Sequence, residues 1–211
     1  KAKDLNKAQS YFLYTLGQKQ LGRCLFPIGD DKKDEVRKMA KKFGLPNWDK
    51  PDSQGVCFIG PLAMDEFLKK HIKPRKGLIV RKSDNKVLGE HDGVWYYTIG
   101  QRHGFRLSAG KPYFVVGKDT KKNILFVDEK FGNKDLGIKI NDFNWLGGHK
   151  KLPMRCKVKT RYRQKDLDSV IVKNGGAVAH ARIAAKNIAL APGQSAVFYK
   201  GEEVLGGGII V

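Results

Sequence analysis

Apolar residues in the first part of the chain recur at the three-to-four-residue spacing of helices. The clearest case is the segment 32–43, where apolar side chains fall at i, i+3, i+4 and i+7 from Val36 to Phe43. Asp31 stands immediately before this segment and is the predicted N-cap, because its carboxylate can accept hydrogen bonds from the first free N–H groups. Weaker patterns predict two further helices, over residues 7–16 and 61–71.

From Pro74 onward the pattern changes to short runs of β-branched and aromatic residues, separated by Gly, Asn and Asp. Many short strands joined by such turns are typical of a closed or nearly closed β-barrel. The predicted fold class is therefore α+β, with a small, mainly helical domain over residues 1–73 and an all-β barrel domain over residues 74–211. The predicted strands cover residues 77–80, 94–99, 113–116, 124–127, 154–162, 169–172, 196–199 and 204–211.

The segment 154–163 alternates more strictly than any other: its even positions are apolar or neutral and its five odd positions are all Lys or Arg. A strand points successive residues to opposite faces. We therefore expect one face to be buried and the other to present a row of cations. Five cations without an acid favour an RNA-facing surface, although a charged edge strand that resists aggregation would alternate in the same way. The residues expected in the core are Met154, Cys156 and Val158, and those expected in solvent are Arg155, Lys157 and Lys159.

Composition strengthens the link to nucleic acid. The chain has 211 residues, with 41 Lys and Arg against 21 Asp and Glu, which gives a formal net charge of +20. A surplus of this size attracts polyanions, and nucleic acid is the commonest polyanion in cells. A proteome that is basic in general would produce the same surplus, so composition favours nucleic-acid binding without requiring it. No apolar run approaches the ~18 residues of a membrane helix and no signal peptide is visible, so we predict no membrane and a cytoplasmic location.

Three cysteines, at an odd count and without the paired spacing of zinc sites, indicate neither a disulfide framework nor a metal site. Cys57 is bracketed by Gly55 and Gly60, a setting in which a thiolate could be reached by a large partner. Such a thiolate can accept a sulfur atom as a persulfide and release it later. From the residues alone, a merely packed thiol remains an alternative. Cys24 and Cys156 are predicted to pack in the core.

The segment 52–60, Asp-Ser-Gln-Gly-Val-Cys-Phe-Ile-Gly, resembles the D-S-x-x-[IV]-C-F-I-G segment of the tRNA 2-thiouridylases, the MnmA/TrmU family. Further segments resemble that family in the same order, so the resemblance covers essentially the whole chain. Each segment is weak evidence alone, and together they are specific. The further segments are 6–13, 26–29 with 35–37, 97–104, 192–199 and 205–210.

This resemblance implies a function: sulfur transfer to C2 of the wobble uridine of tRNA. In the family, an N-terminal ATP-pyrophosphatase domain activates the uridine with ATP, and a persulfide supplied by a cysteine desulfurase or a sulfur-relay protein displaces AMP. By motif position, Cys57 would be the persulfide cysteine. The chain begins about where the ATP-pyrophosphatase domain should end, so we expect that domain, with its ATP site and its second catalytic cysteine, to lie outside it. The residues that match the family's tRNA contacts are Lys7, Gln9, Arg161, Tyr162 and Gln194, and Ala8 replaces the usual Asp between the first two.

Two other interpretations stay open at this point. The chain could be a non-catalytic tRNA-binding module that retains only the barrel of the family. It could also be a generic barrel of the kind found in translation factors, which would leave the segment 52–60 unexplained. The three tryptophans, Trp48, Trp95 and Trp145, are predicted to pack in the core or between domains rather than to stack on bases.

Overall fold

The computed structural model describes residues 1–52, 64–105, 107, 112–131, 135–186 and 188–211. This part of the chain is mostly β-structure. Short helices occupy η1 (Ser10–Thr15), α1 (Gln18–Leu21), α2 (Lys33–Lys42), α3 (Met64–His71) and η2 (Val94–Tyr96). The strands are β1 (Gly77–Arg81), β2 (Val87–His91), β3 (Phe114–Asp119), β4 (Ile124–Asp128), β5 (Asp135–Trp145), β6 (Met154–Lys159), β7 (Leu167–Gly175), β8 (Val178–Ala184), β9 (Ser195–Lys200) and β10 (Glu203–Ile210).

The chain divides into two compact units. One contains residues 1–50, 134–185 and 192–211, and the other contains residues 51–133 and 186–191. The first 50 residues belong with the barrel because η1 packs against β10 and β5. This grouping differs from the predicted division after residue 73.

The barrel of the first unit is closed, with the strand order β10-β5-β8-β7-β6-β9. The predicted barrel is thus confirmed for the strands from β5 onward. Residues 77–128 depart from the prediction, because they form a separate four-stranded sheet in the order β2-β1-β4-β3. The fold class α+β holds only loosely, since the helices are short and α2 buries none of its residues.

Three consecutive glycines let the barrel close at β10. A Cβ on Gly206 would stand 2.1 Å from the Asn144 carbonyl oxygen, and one on Gly207 would stand 2.6 Å from the Ala196 carbonyl oxygen and 3.0 Å from the Tyr14 ring. Gly206 also has a φ of 151°, a conformation that side-chain-bearing residues rarely adopt. The neighbouring strands and η1 therefore approach β10 at distances that only glycine permits.

The sheet of the second unit combines parallel and antiparallel pairing. β1 runs parallel to β4 and antiparallel to β2, and β3 runs antiparallel to β4. Residues 94–99, predicted as a strand, instead begin with η2. The core of this unit consists of Ile79, Val94, Tyr97, Tyr113, Val115, Leu125 and Val127.

Helix α2 confirms the predicted helix over 32–43, but the predicted cap is wrong. Lys32 occupies the N-cap position, and its N–H donates to Glu35 Oε2 at 2.7 Å. The next N–H, of Lys33, donates to Asp4 Oδ2 at 3.1 Å, and this bond is the main reason why the pKa of Asp4 is lowered. The carboxylate of Asp4, which is distant in sequence, thus accepts a hydrogen bond from the first turn of α2, the role that was predicted for Asp31. The apolar stripe of the helix is largely exposed, Phe43 to 71%.

A candidate nucleic-acid interface

The outer face of β9 is covered by the 3-10 helix η1. All four residues from Ala196 to Tyr199 are buried, although only alternate residues of a strand can face the barrel interior. The other two, Val197 and Tyr199, form a cluster with Tyr11 and Tyr14 of η1. Burial raises the pKa of Tyr199 to about 12, against a smaller opposing effect of its hydrogen bond with Ser10. The first residues of the chain are therefore held on the barrel wall by apolar burial.

Hydrogen bonds fix the position of η1. The Tyr11 hydroxyl donates to the Ser195 carbonyl oxygen at 2.8 Å, and the Tyr14 hydroxyl lies 2.8 Å from Ser195 Oγ. Asn144 of β5 donates from Nδ2 to the carbonyl oxygens of Tyr14 and Leu16, at 2.7 and 2.8 Å. These bonds hold η1 against the start of β9. Gln194 directly precedes Ser195 in the chain and therefore lies next to η1.

The turn after β6 adds a third segment to this surface. The Tyr162 ring centroid lies 5.0 Å from that of Phe12 and 6.4 Å from that of Tyr11. Phe12 is 54% exposed, and the guanidinium of Arg163 lies 5.4 Å from the centre of the Tyr162 ring. We call the rings of Phe12 and Tyr162, with the flanking residues Gln9, Arg161 and Gln194, the aromatic surface.

The structure thus places four of the five residues predicted to contact tRNA around η1. Gln9 is the N-cap of η1 and is exposed, as is Gln194, while Arg161 and Tyr162 are half-buried. Lys7 is exposed in the turn that precedes η1. Phe12 is not among the residues predicted to contact tRNA; its only signal in the sequence is an apolar side chain close to Gln9 and Tyr11 in a segment that resembles the family. Cys57, the predicted persulfide carrier, lies outside the described residues.

The predicted alternation of β6 is confirmed at its centre. Cys156 and Val158 are buried, whereas Arg155 and Lys157 are exposed. Met154 and Lys159 are both half-buried, which corrects their predicted places. The strand ends at Lys159, so the later cations of the row lie in a turn. Burial raises the pKa of the Cys156 thiol, whose Sγ lies 3.3 Å from Ser169 Oγ.

In the folded barrel, two of the cations on β6 lie next to acidic side chains. Lys157 Nζ lies 2.7 Å from Asp168 Oδ1, and Lys159 Nζ lies 3.6 Å from Asp166 Oδ1. Both acids come from the chain that leads into and begins β7. Two of the five cations in the predicted row therefore have acidic partners, because the neighbouring strand supplies carboxylates that the segment itself lacks.

Two further predictions about single residues need correction. Cys24 is exposed rather than packed in the core, and its Sγ lies 3.3 Å from the Gln20 carbonyl oxygen. Trp48 is 38% exposed and carries Lys41 Nζ 4.6 Å from its ring centre. Trp145 is packed as predicted, 4.9 Å from the Phe143 ring.

The aromatic surface, by contrast, combines exposed rings with amide and guanidinium donors. Such a surface can stack on unpaired bases and form hydrogen bonds with their edges.

Neither a metal centre nor a membrane helix is found in the part of the chain that the structure describes. Its His, Cys, Asp and Glu side chains form no group of three that could hold a metal ion. Its helices are all too short or too polar to cross a bilayer.

Three family models match consecutive parts of the chain. A tRNA methyl transferase HUP domain matches residues 1–61, a tRNA methyl transferase PRC-barrel domain matches residues 65–129, and an aminomethyltransferase beta-barrel domain matches residues 136–210. The last match coincides with the closed barrel, and the second contains the four-stranded sheet. The chain therefore belongs to the class of proteins that combine these three domains.

Proteins similar to the chain identify the family within this class. A tRNA-specific 2-thiouridylase MnmA of Geobacillus thermodenitrificans is 45% identical over 212 residues, which are 98% of this chain and 57% of that protein. Proteins with the same name from Nitrosococcus oceani and Listeria monocytogenes are 42% and 43% identical, over 100% and 98% of this chain and 59% and 57% of their own length. The chain belongs to the tRNA-specific 2-thiouridylase (MnmA/TrmU) family, as its sequence segments predicted. It spans less than three-fifths of the length of these relatives.

Proposed function

We propose that the chain is part of a cytoplasmic tRNA-uridine 2-sulfurtransferase that thiolates C2 of the wobble uridine, and that it supplies the persulfide cysteine and a tRNA-binding surface. The observation that carries the proposal is the meeting of three distant segments, around Gln9, Tyr162 and Gln194, on one wall of the barrel. These segments match the family's tRNA contacts. Folding brings them together across as many as 184 positions of sequence, as the Tyr11–Ser195 hydrogen bond illustrates.

The aromatic surface has the chemistry of a single-strand RNA contact. Its rings offer π-faces to unstacked bases, while Gln9, Gln194 and Arg161 offer donors for base edges and phosphates. Stacking of this kind contributes about 1–3 kcal/mol for each base. A tRNA presents unstacked bases in its loops, including the anticodon loop that carries the wobble uridine.

In the proposed chemistry, Cys57 receives a sulfur atom from a cysteine desulfurase or a sulfur-relay protein and becomes a persulfide. ATP, bound by the part of the relatives that extends beyond this chain, adenylates the C2 oxygen of the uridine. The terminal sulfur of the persulfide forms a bond to C2, and the oxygen leaves with AMP. A second thiolate then attacks Cys57 Sγ, a disulfide forms, and the sulfur bound to C2 keeps the electron pair of the broken S–S bond.

The test is a sulfur-transfer assay on the full-length gene product, with labelled sulfur supplied through a cysteine desulfurase. Cys57→Ser should abolish labelling of tRNA and leave tRNA binding and uridine adenylation largely intact, because a hydroxyl cannot carry sulfane sulfur. Cys24→Ser and Cys156→Ser are the matched controls and should retain transfer. Thiolation by Cys57→Ser at the wild-type rate would show that another residue carries the sulfur. An intact protein that adenylates no uridine would instead favour a non-catalytic tRNA-binding module.

A further inference from the structure

A second surface of the barrel carries a cluster of basic side chains around a depression. The depression is open to solvent, has a volume of about 410 Å³, and lies on the wall formed by β5, β8 and β7. In the strand order of the barrel, β8 at the centre of this wall is three strands from β9, so the depression lies on the side of the barrel opposite β9. Its lining includes the half-buried His180 and the exposed residues Gly137, Lys139, Val172, Lys173 and Arg182.

Strand register explains why the basic residues share one face. Lys139 pairs with His180, and His180 pairs with Lys173, so these three side chains form a row across three strands. Residues two apart on a strand point the same way. Arg182 therefore lies on the same face as His180, and Gly137, which pairs with Arg182, lies on the same face as Lys139.

Two backbone features open the depression between these side chains. The pairing of β7 with β8 shifts register between Ile171 and Lys173, and Val172 in this bulge is 40% exposed. At Gly137 a Cβ would meet no atom within 4 Å. The floor is thus shallow and largely apolar, and the basic groups stand around it.

Acids pair with cations near β6 but not in this depression. Within the described chain, none of Lys139, Lys173 and Arg182 forms an ion pair, in contrast to Lys157 and Lys159. The nearest acids in register are Asp135 and Asp168, which both pair with Ala184, two residues beyond Arg182. Asp168 already binds Lys157. Three cations, Lys139, Lys173 and Arg182, thus stand on this face against the single remaining acid Asp135, so the depression keeps a positive charge that can attract an external anion.

The basic surface continues beyond the depression to β6. Val170 pairs with Arg182 on one side and with Arg155 on the other. With strands about 4.8 Å apart, Arg155 and Arg182 stand about 10 Å from each other on the same outer face. A strip of cations thus runs across four strands, which suits an extended anion better than a single small one.

We propose that this strip, the basic depression with Arg155, binds the phosphodiester backbone of an RNA strand, with one nucleotide in the depression. The volume falls in the range of roughly 300–1,000 Å³ that is usual for small-molecule sites. The guanidinium and ammonium groups supply charged donors to phosphate, and the apolar floor can receive a sugar or base. The inference rests on the proposed function in taking RNA as the ligand, and it adds a contact on the wall opposite the aromatic surface.

The test compares two double substitutions that remove the same charge. Lys173→Gln with Arg182→Gln alters the depression, and Lys121→Gln with Lys122→Gln alters an exposed turn between β3 and β4. Binding of a tRNA transcript is measured by fluorescence anisotropy across a salt series. The first pair should weaken binding roughly tenfold and lower the log–log salt slope by about two, whereas the second should change either value only slightly. Equal effects of the two pairs would overturn the inference.

Gly137→Glu provides an independent variant, because a Cβ at this position meets no atom within 4 Å and the substitution adds a negative charge to the lining of the depression. It should weaken binding at least as much as the double substitution. Backbone amide shifts of Gly137 and Val172 are followed by NMR as a uridine oligonucleotide, uridine monophosphate or inorganic phosphate is added. Saturable shifts with the oligonucleotide at lower concentration than with either small anion support the strand. Equal response to inorganic phosphate, or no response, contradicts it.

The outcomes also separate this inference from the proposed function. If the wild-type chain binds no RNA, both fail. If it binds tRNA and the depression variants behave like the turn variants, only the basic depression is misassigned.

Discussion

Phe12 is a large apolar residue that folding leaves about half in solvent beside two other aromatic rings. It lies next to the rings of Tyr11 and Tyr162, yet it is 54% exposed. Apolar surface left in water contributes nothing to stability and favours contact with a partner. Its exposure beside Tyr162 makes it the most informative side chain of the aromatic surface.

Phe12→Ala should weaken tRNA binding by about 1–3 kcal/mol, roughly 5- to 150-fold in Kd, because one stacking face is removed. Fluorescence anisotropy with a tRNA transcript measures the change. Leu25→Ala is the control, since Leu25 is 91% exposed and lies outside the aromatic surface. An equal effect of the two substitutions would mean that Phe12 does not contact the RNA.

His91 is a buried titratable residue in the unit that holds the four-stranded sheet. It is 4% exposed, and its Nδ1 accepts a hydrogen bond from the Gly93 N–H at 2.9 Å. Burial lowers the pKa of His91, against smaller opposing effects of Asn123 and Asp92. Folding therefore favours the neutral form of the His91 imidazole.

This unit should lose stability in mild acid. Since the folded pKa of His91 is below the unfolded value of about 6.5, protonation favours the unfolded state, and the stability present above pH 6.5 falls as the pH drops below it. For one such group, the free energy of unfolding changes by at most about 1.4 kcal/mol per pH unit. Thermal denaturation between pH 7.5 and 5.5 measures it. His91→Asn, whose amide oxygen can accept the Gly93 N–H, should lose part of this pH dependence; an unchanged profile would exclude His91 as its source.

At the scale of an element, β10 depends on its glycines. Gly207→Ala should destabilise the barrel by about 1–3 kcal/mol, because the new methyl group would press on the Ala196 carbonyl and the Tyr14 ring. Chemical denaturation measures the loss. Gly137→Ala is the control, because a Cβ there meets no atom within 4 Å. Similar stabilities of the two variants would show that β10 can shift to make room.

The sequence predicts elements well where one face is buried and the other is not. The alternation around Cys156 and Lys157 is of this kind. Helix α2 also forms as its apolar spacing predicts, although none of its residues is buried. The strands β5 and β8 were missed because their alternating residues include Gly, Asp, Asn and Ala, which are weak strand formers. The end of β6 could not be predicted either. There Gln164 Oε1 accepts from the Thr160 N–H at 2.7 Å, and Arg163 adopts a φ of 64°.

The candidate site also depends on contacts between residues that are far apart in sequence, which short sequence segments do not reveal. Resemblance of short segments predicts Gln9, Tyr162 and Gln194 as tRNA contacts, but it could not show that their segments lie together on the barrel. Pairing across the barrel also brought Asp166 and Asp168 to cations that look unopposed in the sequence. Acidic residues on neighbouring strands decide which cations remain unpaired, and the sequence of a single strand does not contain those residues.

For the whole molecule, the net charge of +20 should dominate the salt dependence of RNA binding. Neutralising ~5–8 phosphates would give a log–log salt slope of several units, since each phosphate contributes about 0.7–0.9. Titrations of a tRNA transcript between 50 and 200 mM salt measure it. A binding constant that stays the same across this range would contradict electrostatic recognition.

The closure of the barrel between β5 and β10 also has a kinetic consequence. These strands pair although about 60 residues separate them, and η1 docks on β9 across 184 positions of sequence. Contacts of such high sequence separation form slowly, because the chain must lose much of its conformational entropy before they are gained. The aromatic surface therefore comes into existence only after the barrel has closed. An RNA that recognises it binds the native state alone, and each tenfold excess of that RNA over its Kd would add about 1.4 kcal/mol to the free energy of unfolding.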